Sequence, residues 1–236
     1  MIDAANSFAP LIERLYRDAD AAPVSAERPV VPLRRLLAGQ EVNQREISGL
    51  TSRAALHFLL GRGAIIEIWP GTSSDSLAGF LYANSGGACI FVRPEDPVSR
   101  RRFCAAHELG HFVLHWPMIL EAARAQNRDG LELIETLPPC APDADEISGG
   151  QLTIHEPGAV HDWELPREQL EHEADAFAAE LLMPEDVVRA LVERNRANCS
   201  DFDLIWRLST EMLVSRAAMK VRLRHLGLLR GETALN

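Results

Sequence analysis

The residues whose types and spacing could do chemistry lie in the run SRRRFCAAHELGHFVLH, from Ser99 to His115. His107, Glu108 and His111 form an H-E-x-x-H pattern inside it. The run predicts one continuous helix, on which side chains four residues apart share a face. Two neutral imidazoles at that spacing suit one Zn²⁺, and the glutamate beside them is placed to take a proton from a metal-bound water. A buried helix with two incidental histidines is the bland alternative, and the surrounding pattern argues against it.

A catalytic zinc takes three protein ligands and keeps one position open. The run EHEAD offers Glu171 as the third, with Asp175 one turn later on the same face. Glu171 would bind the ion while Asp175 holds one histidine through its other ring nitrogen. Glu173 points about 160 to 200° away from both on a helical wheel and is set aside. Without the HELGH helix, an acidic helix face of this kind would read as a solvated surface. A donor for the oxyanion of an attacked carbonyl is also required, and by residue type Tyr82, His155 and His161 are the candidates. His115 reads as a cleft residue or, by its place at the helix end, as a partner of the helix dipole. His172 reads as facing solvent. Cys140, in PPCAPD, offers a thiolate that could fill the open zinc position.

The elements that must position these groups follow from periodicity. Residues 6 to 19 and Leu33 to Leu37 have helical spacing, separated by a Pro-bearing arm, AAPVSAERPVVPL. A firmer helix spans Ser48 to Leu60, stopped by Gly61 and Gly63. The period then shortens. AIIEIW (64–69), LAGFLYA (77–83) and GACIFVR (88–93) predict a three-stranded antiparallel meander. An extended substrate could add to its edge as a further strand, and Ala88, Cys89, Ile90, Phe91, Val92 and Arg93 are the residues expected to form that edge. Asp96 and Pro97 open the motif helix as cap and first-turn proline. From Asn127 to Pro166 the chain is acidic and rich in Pro and Gly, and reads as a long loop. Helical spacing resumes with PREQLEHEADAFAAELLM. Pro184 ends that helix and starts the next, and two more follow, the last capped by Ser215 and closed by Gly227.

Composition sets the class. The chain has 236 residues, 47% apolar and 25% charged, enough for a real core in an ordinary globular protein. Its net charge of −10 speaks against a main role in coating nucleic acid or anionic membrane. Nine acidic residues and no Lys or Arg lie between Asp129 and Glu164, whereas Arg207, Arg216, Lys220, Arg222, Arg224 and Arg230 crowd the tail. The four cysteines have no paired spacing, and neither a secretory signal nor an 18-residue apolar run is apparent. A cytoplasmic protein with reduced thiols is the expectation.

RRRFCAAHELGHFVLH resembles the signature of the ImmA/IrrE family of zinc metallopeptidases, and EHEADAFAAELLMP resembles that family's second block. The tail VSRAAMKVRLRHLGLL is similar to its C-terminal helices. The resemblance covers about residues 48–115 and 165–230. It implies an α+β fold with a zincin (gluzincin-like) peptidase core, a small antiparallel sheet packed on the active-site helix, followed by a helical C-terminal region. The implied division is an N-terminal helix and arm (1–45), a peptidase domain (46–190) with an acidic insert at 127–165, and an HTH-like helical region (191–236). His107 and His111 would be zinc ligands, Glu108 the general base and Glu171 the third ligand, with Asp175 where relatives carry Asn or Asp. The resemblance further implies site-specific cleavage of a partner protein, often a helix-turn-helix repressor, in stress response or control of mobile elements. The spacing from His111 to Glu171 is longer than usual in this family, so the insert could cover the cleft. The first forty residues show no fused repressor domain, which makes any repressor substrate a separate chain.

Two other functions fit parts of the sequence. Basic residues at 216–226 could bind DNA, with the zinc structural or inert. The same protease chemistry could also serve as the toxin of a toxin–antitoxin or phage-defence pair.

Overall fold

The computed structural model describes residues 4–63, 76–125, 130–137, 151–155 and 167–230. The chain begins with helices α1 (Ala4–Asp18) and α2 (Leu33–Gly39), then strand β1 (Val42–Glu46) and helix α3 (Ser52–Leu60). A hairpin of β2 (Gly79–Asn84) and β3 (Gly87–Val92) leads into the motif helix α4 (Val98–Gly110). A wider helical turn, His111–His115, joins α4 to α5 (Trp116–Ala125). Strands β4 (Glu132–Leu137) and β5 (Gln151–His155) follow. The remaining helices are α6 (Arg167–Leu182), α7 (Glu185–Asn195), α8 (Asp201–Met212) and α9 (Arg216–His225). The fold is α+β, as the resemblance implied.

Among the described residues the sheet runs β1-β3-β2-β4-β5, with β1 parallel to β3 and every other pair antiparallel. Three expectations are corrected here. The 64–69 segment of the meander lies outside the described residues and the second neighbour of β2 is β4, while the second neighbour of β3 is β1, which is parallel. β3 is therefore an inner strand: Ala88 to Val92 pair with β1 on one side and β2 on the other, and Arg93 follows the strand's end. No free edge is left there for a substrate strand. The acidic stretch 127–165 is not one long loop either, because β4 and β5 extend the sheet as an antiparallel pair with Glu132 opposite His155.

Alternation along the strands divides the core. Leu81, Ala83, Ile90, Val92 and Leu133 point to one face and join the main core with Cys104, Ala105 and Leu109 of α4. Phe80, Tyr82, Phe91 and Ile134 point to the other, against Leu56 and Leu59 of α3. Edge-to-face contacts between Phe91 and both Phe58 and Phe80, with centroids 5.5 and 5.8 Å apart, fill this second core. The main core is continuous with both chain ends, since Phe8 and Leu15 of α1 and Leu208, Met219 and Leu223 of α8 and α9 are buried in it.

Helices α4 and α6 pack directly on one another. Gly110 permits this, because a Cβ there would lie 3.1 Å from Phe177 Cδ1 and 3.2 Å from Ala174 Cα. Ala174 sits between Glu171 and Asp175 in sequence, so the contact that needs a glycine is the one that brings both carboxylates to α4. At the start of α4, Pro97 holds the cap position without a side-chain cap. Asp96 is instead buried and paired with Arg93 at 2.5 Å.

Candidate metal centre

The motif run is helical throughout but not regular. The amide of Trp116 donates to the carbonyl of His111, five residues back, so the turn from His111 to His115 is π-helical. Such turns occur often at functional sites. His107, Glu108, His111 and His115 are all buried on this stretch.

Nε2 of His107 and Nε2 of His111 lie 3.0 Å apart. Across the helix interface, Glu171 brings Oε2 to 3.5 Å from the His107 nitrogen and Oε1 to 3.5 Å from the His111 nitrogen. One ligand atom from each of the three residues thus lies within 4.8 Å of the others. Asp175 Oδ1 stands 2.8 Å from Nδ1 of His107. A carboxylate only accepts, so the hydrogen of His107 is on Nδ1 and its Nε2 carries a lone pair toward the cluster.

The donor set fits a zinc ion. Both carboxylate oxygens of Glu171 are shielded from water, and neither accepts a hydrogen bond among the described residues. A negative group so placed calls for a cation. Ligands at about 2.0–2.1 Å in a tetrahedron are separated by about 3.3 Å, close to the 3.0 Å between the two ring nitrogens and to the 3.5 Å from each of them to its nearer Glu171 oxygen. Burial, then the neighbouring His107 and His115, holds His111 well below the ordinary histidine pKa. Burial also lowers His115, opposed by Glu173. Metal binding needs the neutral imidazole that these effects favour.

The remaining candidates divide. Tyr82 faces the second core, on the side of the sheet away from α4, and its hydroxyl donates to Glu132 Oε1 at 2.6 Å. That placement corrects its reading as an oxyanion donor. His155 ends β5 and its side chain lies outside the described residues, as do His161 and Cys140. Two residues outside the expected ligand set come into the site, His115, which the sequence left as a cleft residue or a dipole partner, and Glu173, which it set aside. His115 Nδ1 is 3.0 Å from His111 Nδ1, and His115 Nε2 is 3.3 Å from Glu173 Oε2. The i, i+4 spacing of His111 and His115 was the available signal for the first. Nothing in the α6 run pointed to the second.

A family model of the IrrE N-terminal-like domain, peptidase family M78, matches residues 68–132 and 159–224, more than half of the chain. The chain belongs to the M78 family. M78 membership makes this a metallopeptidase-type protein, and both α4 and α6 lie within the matched residues. The match leaves out residues 133–158, within the acidic stretch. No curated protein matches the chain. Among the described residues no helix is long and apolar enough to cross a membrane.

Proposed function

We propose that this M78 protein is a cytoplasmic, zinc-dependent endopeptidase that cleaves one specific partner protein. The partner is a helix-turn-helix repressor or similar regulator on a separate chain, and the cleavage serves stress response or mobile-element control. The observation that carries the reading is the convergence of His107, His111 and the carboxylate of Glu171, which accepts no hydrogen bond among the described residues.

His107 and His111 would hold the ion from α4 and Glu171 from α6, with Asp175 fixing the ring of His107. Zinc bound there supplies a lowered pKa for its water and a polarised scissile carbonyl. Glu108, buried beside both histidines, takes the proton from the attacking water and delivers it to the leaving amine nitrogen. Because β3 is enclosed, a substrate binding as an added strand would use the outer side of β1 or β5.

The DNA-binding alternative is weakened by Arg222. This residue is buried, bonds Glu180, and donates to the carbonyl of Met183 at 3.0 Å, so it is part of the packing. The test is metal analysis of wild type and Glu171→Ala, paired with co-expression against the product of the adjacent gene. Wild type is expected to carry zinc and yield a clipped partner, and Glu171→Ala neither. Equal zinc in both proteins would overturn the reading. Salt-dependent DNA retention indifferent to Glu108→Gln would favour a regulator, and growth arrest that requires Glu108 would favour a toxin.

A further inference from the structure

We infer that Glu173 and His115 are positioning residues for His111, holding it in the one tautomer that can bind a metal. The inference rests on the proposed metal centre and extends it to side chains that do not touch the ion.

The proton positions follow from one end of the chain of contacts. Glu173 is anchored by Gln169, whose Nε2 donates to its Oε1 at 2.7 Å. Its other oxygen faces Nε2 of His115 at 3.3 Å. A carboxylate cannot donate, so His115 must carry its hydrogen on Nε2, and its Nδ1 is then an acceptor. The nearest donor is Nδ1 of His111, 3.0 Å away. With the His111 hydrogen on Nδ1, its Nε2 presents a lone pair toward Nε2 of His107 and the oxygens of Glu171.

The reverse arrangement is the competitor. If His115 carried its hydrogen on Nδ1, that group would donate to His111 and move the His111 hydrogen to Nε2. There it would lie between the two ring nitrogens, which are 3.0 Å apart, and occupy the ligand lone pair. His115 Nε2 would also face Glu173 with two electron pairs opposed. Glu173 therefore decides the outcome through two rings. The wider turn from His111 to His115 stacks those rings edge to face, with centroids 5.0 Å apart. His107 gets the same service in one step from Asp175. The two ligands are supported by separate carboxylates of the same helix.

The experiment uses the full chain with ¹⁵N-labelled histidine. In the metal-free wild type, NMR should show the His111 proton on Nδ1. Zinc affinity is measured separately by competition with a chromophoric chelator. Glu173→Gln, whose amide can donate or accept, should mix the two His111 tautomers and weaken zinc by about 10-fold; His115→Phe should weaken it by about 10- to 100-fold. Exposed His172 provides the control, and His172→Ala should bind zinc as the wild type does. Wild-type affinity and an unchanged His111 tautomer in Glu173→Gln would overturn the inference even if His115→Phe failed to fold. A His111 proton on Nε2 in the wild type would overturn it as well. Failure of the metal centre itself reads differently: wild type would bind no zinc, or Glu171→Ala would bind it equally well.

Discussion

Both faces of the central strands β2 and β3 are largely buried, yet only one of them packs on the helix that carries the candidate metal ligands. On the α4 side, buried polar groups meet as acceptors around a common point, with the Glu171 oxygens lacking a donor among the described residues. On the α3 side, the buried polar groups satisfy each other. Tyr82 donates to Glu132, and Asn84 donates to Tyr82 at 3.2 Å. Burial first, then the Glu132 carboxylate, raises the Tyr82 pKa, so the phenol stays a donor. Burial alone does not mark a functional site. Acceptors brought together without enough protons do.

Substitutions on the two faces should separate activity from stability, and the largest effect is expected at Glu108. Glu108→Gln should lower the cleavage rate by about 10²- to 10⁴-fold while zinc content and Tm hold, because only the proton carrier is lost. A matched loss of zinc would instead make Glu108 a structural group. Gly110→Ala tests the helix contact behind the site. The added methyl must displace Phe177 or the backbone of Ala174, which should cost about 1–3 kcal/mol and weaken zinc binding together. Unchanged zinc affinity would mean that Glu171 does not depend on that close approach.

A pH titration of the metal-free protein should bear on one face only. Above about pH 6.5, the ordinary histidine value, His111 is neutral folded or unfolded and contributes no pH dependence. As pH falls below that value, the unfolded chain takes up a proton that the buried ring refuses. Stability should then drop by about 1.4 kcal/mol per pH unit for this group, until its lowered folded pKa is reached. A Tm flat from pH 7 to 5 would contradict the burial of an unprotonated ring. The smallest effect should come from Tyr82→Phe. It should cost about 1–2 kcal/mol of stability and leave both zinc affinity and cleavage at wild-type levels. A loss of cleavage without a loss of stability would restore Tyr82 as an oxyanion donor.

Much of the site side was legible because it depends on helical spacing. His107 and His111 four apart, and Glu171 and Asp175 four apart, place their groups whatever the rest of the chain does. The wheel that set Glu173 aside could not show that its side chain reaches His115. The sheet was less legible. β1 is VNQRE, with Val42 its one apolar residue, and it is a strand because β3 pairs with it in parallel register from Val42–Ala88 to Glu46–Val92. β4 was hidden by its acidic neighbours, although Leu133 and Ile134 are buried on opposite faces. Pairing partners distant in sequence leave no local period, and for that reason β3 could be taken for an edge.

Arg222 has a mechanical meaning as well. It ties the last helix to Glu180 and Met183, at the far end of the helix that carries Glu171, Glu173 and Asp175. A binding partner that grasped the chain's basic tail would be pulling on the same helix that carries Glu171 and Asp175, so a load on the tail would reach the proposed metal centre through α6.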